Sequence, residues 1–231
     1  MKTIGLLGGM SWESSLEYYR IINQEIKRRL GGLHSAQCLL YSYDFAEIEA
    51  LQHNDAWAKL TLKMINGVRR LEAGGADFLV ICTNTMHRIA DKIEEATGIP
   101  LLHIADAAAR AIKTQGLDEV GLLGTNFTMT GDFYRKRLAD NHGIQILIPD
   151  ETDRQTIHRI IYDELVLGEI KDESREAYLK VIDRLVKKGA QGVILGCTEI
   201  PLLVKQKDVA IPLFDTTTLH AEAAVDWALK M

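Results

Sequence analysis

The 231-residue chain contains only three cysteines and four prolines. Cys38, Cys82 and Cys197 are odd in number and widely spaced, which argues against a disulfide framework. Neither a CxxC nor an HExxH spacing is present to predict a metal site. With so few prolines and no long polar tract, the sequence shows no flexible linker. It also lacks a basic cluster, and its net charge is −5, so we expect neither nucleic acid nor an anionic membrane as a partner.

Long hydrophobic runs are missing as well. The apolar segment at the N-terminus stops at Gly8 and Gly9, and charged residues follow from Glu13 onward. It is therefore too short for an export signal or a membrane span, and we expect a cytoplasmic protein. The composition, 47% hydrophobic and 26% charged, is that of a globular chain long enough for one large domain or two small ones.

Short apolar runs alternate with longer amphipathic stretches along the chain. Apolar runs of this kind are typical of strands that are buried on both faces of a parallel sheet, and the stretches between them are typical of helices. We predict strands at residues 3–7, 37–41, 78–81, 101–104, 120–123, 145–148, 192–195 and 213–214, and helices at residues 15–30, 57–73, 89–95, 106–113, 130–141, 156–167, 175–188 and 219–229. The pattern predicts an α/β fold with parallel sheets.

An internal repeat divides the chain into two similar halves. Residues 4–8 recur as residues 120–124, residues 75–80 as residues 189–194, and residues 99–102 as residues 211–214. Three matches in the same order, at offsets between 112 and 116 residues, are more than two unrelated β-α units would share. They predict two pseudo-symmetric parallel-sheet α/β domains. We expect residues 1–103 and 214–231 in the first and residues 104–213 in the second.

The repeat also indicates where a site would lie. Ligands of open parallel sheets bind beyond the carboxyl ends of the strands, so two such halves would face each other across a cleft suited to a small molecule. Thr83 and Cys197 occupy equivalent positions, each just after a buried strand. We therefore expect Thr83 and Cys197 on opposite sides of this cleft. Cys82 aligns with Gly196 and is expected to be structural, as is Cys38 within a strand.

An acid/base group on each side of a small molecule favours racemisation. A proton can leave one face of a carbon and return on the other, which requires a positioned pair of such groups. A thiol suits this role because its ordinary pKa is about 8.5 and helix N-termini lower it further. We expect Thr198 and the amides of the turn after Cys197 to provide such a setting.

These residues resemble those of the cofactor-independent aspartate/glutamate racemase family, over the full length of the chain. The matching segments are residues 7–11 (Leu-Gly-Gly-Met-Ser), 83–87 (Thr-Asn-Thr-Met-His) and 196–199 (Gly-Cys-Thr-Glu). Glutamate racemases usually carry His at the position of Glu199. The segment Gly-Cys-Thr-Glu is therefore similar to that of the aspartate racemase branch. The resemblance implies two α/β halves with the site between them, an amino-acid racemase that uses neither pyridoxal phosphate nor a metal, and a homodimer in many members.

The roles that the resemblance implies are assigned position by position. Cys197 matches one acid/base residue, and Thr83 stands where the family usually has the other cysteine. The expected substrate-binding residues are Met10, Ser11, Gln52, Asn84, Thr85, Thr125, Thr198 and Glu199. Hydroxyls and amides at the turns suit an α-carboxylate, and Glu199 or Asn84 suits the α-ammonium. We expect His87 to pack at a helix start without a direct role.

The pair formed by Cys197 and Thr83 is unsymmetrical. A threonine hydroxyl is a far weaker acid than a thiol, so it returns a proton, or orients a water, more easily than it abstracts one. We expect Cys197 to abstract efficiently from one enantiomer and the reverse direction to be slow, with no change in the final ratio of enantiomers.

The substrate and several alternatives stay open at this point. Aspartate-specific relatives typically place basic residues against the side-chain carboxylate, but residues 44–52 and 160–168 contain neither Arg nor Lys. We therefore expect aspartate, glutamate or a related polar amino acid. The alternatives are an arylmalonate-decarboxylase-like or maleate-isomerase-like enzyme, a hydantoin racemase, or an amino-acid-binding protein that has lost catalysis. Nucleotide binding is not expected, because residues 5–9 form neither a P-loop nor a full GxGxxG pattern.

Overall fold

A computed structural model describes residues 1–230 of the chain. They divide into two compact units. The first contains Met1–Ile104 and the chain from His220 onward, and the second contains Ala105–Leu219. Each unit holds one four-stranded sheet in which every pairing is parallel. The predicted α/β fold with two parallel sheets is therefore confirmed.

The first unit follows the β-α-β pattern expected of a parallel sheet. Its elements are β1 (Ile4–Gly8), α1 (Trp12–Leu30), β2 (Cys38–Ser42), α2 (Phe45–His53), α3 (Trp57–Ala73), β3 (Phe78–Ile81), a 3-10 helix (Thr85–Ile89), α4 (Ala90–Glu95) and β4 (Leu101–Leu102). The strand order is β2-β1-β3-β4. β1 and β3 lie in the middle of the sheet and are buried throughout, as their continuous apolar sequences require.

The second unit repeats this plan. It contains α5 (Ile104–Thr114), β5 (Glu119–Gly124), α6 (Asn126–Thr130), α7 (Asp132–His142), β6 (Gln145–Leu147), α8 (Glu151–Asp163), a 3-10 helix (Leu165–Leu167), α9 (Asp172–Lys187), β7 (Val193–Gly196), α10 (Ile200–Leu203), a 3-10 helix (Gln206–Asp208) and β8 (Leu213–Asp215). The strand order, β6-β5-β7-β8, matches that of the first unit strand for strand. α11 (Thr216–Leu229) begins in the second unit and ends in the first.

The chain returns to the first unit later than the sequence predicts. We expected the second half to end at residue 213, but β8 pairs in parallel with β7 and so belongs to the second sheet. The return therefore falls between Leu219 and His220, inside α11. The predicted boundary at residue 103 lies next to the observed crossing at Ile104.

The eight predicted strands are all present, whereas the helices differ in detail. α2 was not predicted, because residues 45–53 mix acidic and apolar side chains without a clear helical stripe. Asp44 begins this helix by accepting a hydrogen bond from the amide of Ala46. α3 has the bounds predicted for it, and its buried residues Leu60, Met64, Val68 and Leu71 recur at helical spacing on one face.

The first strand leads into a tight turn at Gly8 and Gly9. Gly9 has a φ of 80°, and a Cβ there would lie 2.3 Å from the backbone nitrogen and oxygen of Tyr43. A Cβ on Gly8 would lie 2.3 Å from the hydroxyl of Ser15, which accepts a hydrogen bond from the Gly9 amide. Only glycine allows this close approach, which directs the chain to Met10 at the carboxyl end of β1.

Within residues 1–230, no helix combines the length and the apolar character needed to cross a lipid bilayer.

Candidate active site

Thr83 and Cys197 follow equivalent strands of the two sheets. Thr83 lies just past β3 and Cys197 directly after β7, and each of these strands lies between the first strand of its unit and the outer strand β4 or β8. Because the carboxyl ends of parallel strands meet at one edge, each residue lies at the edge where α/β sheets bind ligands. The equivalence that the repeat predicts is therefore present in the topology.

The two thiols other than Cys197 have the surroundings of structural residues. Cys82 is 0% exposed, its amide donates to the carbonyl of Leu7, and its Sγ lies 3.9 Å from the carbonyl oxygen of Val80. Burial raises the pKa of the Cys82 thiol. Cys38 is half-buried in β2, where burial raises its pKa too. Their positions distinguish these two thiols from Cys197: Cys82 is buried at the end of β3, and Cys38 lies within β2.

The half-site of the first unit centres on the turn after β3. Thr83 is partly exposed, while Asn84 and Thr85 are buried at the start of the 3-10 helix. Gln52 is buried in α2, and its amide nitrogen lies 3.3 Å from the sulfur of Met86. This contact brings Gln52, 34 residues away in sequence, next to the Thr83 turn.

The loops after β1 and β5 carry matching hydroxyl pairs. Ser11 begins α1 by accepting from the amide of Ser14, and their hydroxyl oxygens lie 3.3 Å apart. Thr125 begins α6 by accepting from the amide of Thr128, and these hydroxyl oxygens also lie 3.3 Å apart. α1 therefore starts earlier than predicted, because Ser11 is its N-cap. The repeat extends from the strands to the polar side chains that follow them.

The half-site of the second unit is built around Glu199. Its Oε2 accepts a hydrogen bond from the Cys197 thiol at 2.9 Å and another from the Thr198 hydroxyl at 2.7 Å. Glu199 is only 8% exposed, so one carboxylate oxygen shielded from solvent holds both groups. A carboxylate that accepts from a thiol stabilises the protonated form of that thiol.

The pKa of Cys197 is raised well above its ordinary value. Burial is the largest cause, and the negative charge of Glu199 and the hydrogen bond to it add to the effect. The backbone amides of Glu199 and Thr198 lower the pKa but do not compensate. The amides of the turn therefore lower the pKa as expected, but the net shift is upward, because burial and then the Glu199 carboxylate outweigh them. Burial and the Glu199 carboxylate both favour the protonated thiol of Cys197.

Replacing Glu199 with Gln tests this coupling directly. The substitution removes the charge that opposes the thiolate, so we expect Cys197 to react with iodoacetamide about tenfold faster at neutral pH, its pH profile moving to lower pH by about one unit. The measurement is the alkylation rate against pH in a Cys38→Ser background, followed by mass spectrometry. Thr198→Val is the matched control, since it removes a contact to the same oxygen and keeps the charge. An unchanged profile in the Gln variant would refute the coupling.

Two neighbours of the half-sites were missed or undervalued in the sequence. Tyr178 of α9 is fully buried, and burial is the largest cause of its raised pKa, with smaller contributions from its interactions with Cys197 and Glu199. A tyrosine at helical spacing looks like any core residue, so no sequence signal marks it. His87 was expected only to pack, yet its Nδ1 lies 2.8 Å from the carbonyl oxygen of Thr83.

The fold and the two half-sites define a class of enzyme: two-unit α/β proteins with a candidate acid/base residue after the equivalent strand of each sheet. The model of the Asp/Glu/hydantoin racemase family matches residues 7–224, and the chain belongs to this family. It is accordingly an isomerase of the racemase type.

Relatives cover the chain from end to end. A crystal structure of a candidate Asp/Glu racemase from Yersinia pestis is 56% identical, with a TM-score of 0.94 and 100% of each chain covered. An aspartate racemase homologue from Pyrococcus horikoshii is 34% identical, with a TM-score of 0.86 and the same coverage. A broad-specificity amino-acid racemase from Bacillus subtilis is 23% identical over 96% of both chains.

Proposed function

We propose that the protein inverts the Cα of aspartate, glutamate or a related polar amino acid by a two-base proton transfer. Cys197 acts on one face of the substrate and Thr83 on the other. The observation that carries this proposal is that both residues follow the same strand of two sheets with the same strand order. The broad specificity of the Bacillus subtilis relative supports a substrate that is not restricted to one side chain.

The hydrogen bonds of Glu199 suggest how Cys197 becomes a base. In the free protein the thiol donates to the Glu199 carboxylate and stays protonated. A substrate whose α-ammonium binds beside Glu199 brings a positive charge to the pair, which lowers the pKa of the thiol and favours the thiolate. The base is then formed only when an amino acid is bound. Cys197 removes the Cα proton and leaves a carbanion that is stabilised by the substrate carboxylate.

The second proton transfer takes place at the Thr83 face. The Thr83 hydroxyl, or a water that it holds, gives a proton to the carbanion and so completes the inversion. The alkoxide or hydroxide that is left takes a proton from solvent, and Cys197 releases the Cα proton to solvent, which restores both groups. Around the substrate we propose Met10, Ser11, Gln52, Asn84 and Thr85 from the first unit, and Thr125, Thr198 and Glu199 from the second. The hydroxyls of Ser11 and Thr125 begin helices and suit an anionic group, which supports a role in holding a carboxylate.

Exchange in heavy water tests the proposed function. The protein is incubated in D2O with L- and D-forms of a panel of amino acids, and loss of the Cα–H signal is followed by NMR. We expect exchange with aspartate, glutamate or another polar amino acid, and faster exchange from one enantiomer. Turnover of malonates or maleate without amino-acid exchange would instead favour the arylmalonate-decarboxylase-like or maleate-isomerase-like alternatives. If the protein reacts with none of these compounds, the remaining alternative is an amino-acid-binding protein that has lost catalysis.

Two further parts of the proposal rest on the sequence. The family resemblance supports a homodimer, and sedimentation of a single species with the mass of one chain would contradict it. The odd number and wide spacing of the cysteines support a cytoplasmic location. Recovery of the protein in a cell-envelope fraction would contradict that location.

A further inference from the structure

Both ring nitrogens of His87 contact the backbone of the first unit. His87 lies in the 3-10 helix after β3 and is only 2% exposed. Its Nδ1 lies 2.8 Å from the carbonyl oxygen of Thr83, and its Nε2 lies 3.2 Å from the amide nitrogen of Ile104. The ring therefore joins the Thr83 turn to the residue at which the chain leaves the first unit.

These two contacts fix the tautomer. A backbone amide can only donate, so Nε2 of His87 must carry the lone pair that accepts from Ile104. A backbone carbonyl can only accept, so Nδ1 must carry the proton that it donates to Thr83. The ring is accordingly a neutral imidazole in the Nδ1–H form. A proton on Nε2 would point at the amide of Ile104, and two donors cannot form a hydrogen bond with each other.

Other rings pack around this imidazole. The His103 ring lies 4.5 Å from that of His87 and the His220 ring 5.7 Å from it, both edge to face. His220 is itself held between the hydroxyl of Tyr18 and the carbonyl of Leu102, at 2.8 Å from each. These three histidines are all buried. Close packing of this kind restricts rotation of the His87 ring and holds its two hydrogen bonds in place.

The second unit holds its equivalent turn differently. There the carbonyl of Cys197 accepts from a backbone group, the amide of Ile200, at 3.3 Å. The repeat aligns His87 with Pro201, which offers neither a ring donor nor an acceptor. The amide of Thr83 donates to the carbonyl of Ile81 at 2.9 Å, and the imidazole holds the carbonyl. Both backbone polar groups of Thr83 are thus fixed, one of them by a side chain present on this side alone.

We propose that His87 is a positioning residue for Thr83: it ties the Thr83 carbonyl to the amide of Ile104 and thereby sets where the Thr83 hydroxyl lies. The inference rests on the proposed function, in which Thr83 serves one face of the substrate. His87 takes no proton from the substrate, and its effect is confined to the step at the Thr83 face. A hydroxyl that moves by about 1 Å costs a proton-transfer step up to about 100-fold.

Three variants separate the two hydrogen bonds. His87→Asn keeps an amide donor near the place of Nδ1, His87→Gln keeps an acceptor near the place of Nε2, and His87→Ala keeps neither. The substrate is the enantiomer that Cys197 deprotonates, in D2O. Its exchange with retention reports the Cys197 face, and its inversion reports the Thr83 face. The ratio of inversion to exchange is the readout, because general loss of folded protein lowers both rates together.

We expect the ratio to fall about 10-fold to 100-fold in His87→Gln and His87→Ala and to be rescued to within about fivefold of wild type in His87→Asn. Thermal unfolding followed by circular dichroism shows which variants are folded. An unchanged ratio in folded His87→Gln overturns the inference, as does a Gln variant that behaves like the Asn variant.

The tautomer provides a second readout that does not depend on turnover. Long-range proton–nitrogen correlation NMR of the wild-type protein is expected to show a protonated Nδ1 and an unprotonated Nε2 for His87, with the signals assigned from the His87→Asn spectrum. An Nε2–H tautomer overturns the positioning role and leaves the proposed function intact. A wild-type protein that exchanges no amino acid overturns both.

Discussion

Cys197→Ser is expected to slow Cα–H exchange by at least about 1000-fold for the better enantiomer. Positioned general acid–base catalysis contributes about 100-fold to 10,000-fold, and a serine hydroxyl ionises far less readily than a thiol even when an ammonium lies nearby. Ser keeps a donor for Glu199, so the turn after β7 retains its hydrogen bond and the loss reports chemistry. The measurement is the rate of Cα–H loss in D2O at saturating substrate.

The control for this prediction is Cys38→Ser. Cys38 is the other thiol with some exposure, but it lies within β2, and no hydrogen bond to either half-site is recorded for it in residues 1–230. We expect its exchange rate to stay within about twofold of wild type, because Cys38 lies away from both half-sites and Ser is similar in size to Cys. A Cys197→Ser protein that keeps a tenth of the wild-type rate would show that another group removes the proton.

The positions of the candidate acid/base pair could be predicted because they depend on the backbone pattern alone. Central strands of a parallel sheet are buried on both faces, so β1, β3, β5 and β7 read as plain apolar runs. Once the repeat aligns those runs, Thr83 and Cys197 fall at equivalent strand ends. The same alignment matches Cys82 with Gly196, the last residue of β7, and Cys82 is buried.

The properties of the site depend on side-chain directions and could not be predicted in the same way. The upward shift of the Cys197 pKa depends first on burial and then on the Glu199 side chain, which folds back onto the sulfur. The role of His87 depends on Ile104, which is 17 residues away in sequence and meets the ring only after β4 has joined the sheet. The separation of these residues in the sequence predicts neither of these contacts.

On the proposed function, the hydrogen bonds of the two half-sites make the enzyme chemically one-sided. The thiol of Cys197 donates to the carboxylate of Glu199, whereas the backbone carbonyl of Thr83 accepts from the neutral imidazole of His87. Two enantiomers have equal free energies in water, so kcat/KM must be the same in both directions. If the two directions differ in kcat, they must therefore differ in KM by the same factor. In addition, Cα–H exchange should be faster than inversion for only one of the two enantiomers.

Thr83→Cys is expected to remove this one-sidedness. A thiol at this position ionises several pH units below a threonine hydroxyl, so the second face gains a group that abstracts as well as donates. We expect exchange of the slower enantiomer to rise by about 10-fold to 100-fold and the exchange rates of the two enantiomers to converge. Thr83→Ser is the matched control, because it keeps a hydroxyl of similar acidity and should keep the preference. If Thr83→Cys is folded and leaves the ratio of the two exchange rates unchanged, Thr83 is not the group that limits the slow face. Convergence in the Cys variant alone would show that the hydroxyl sets the directional preference.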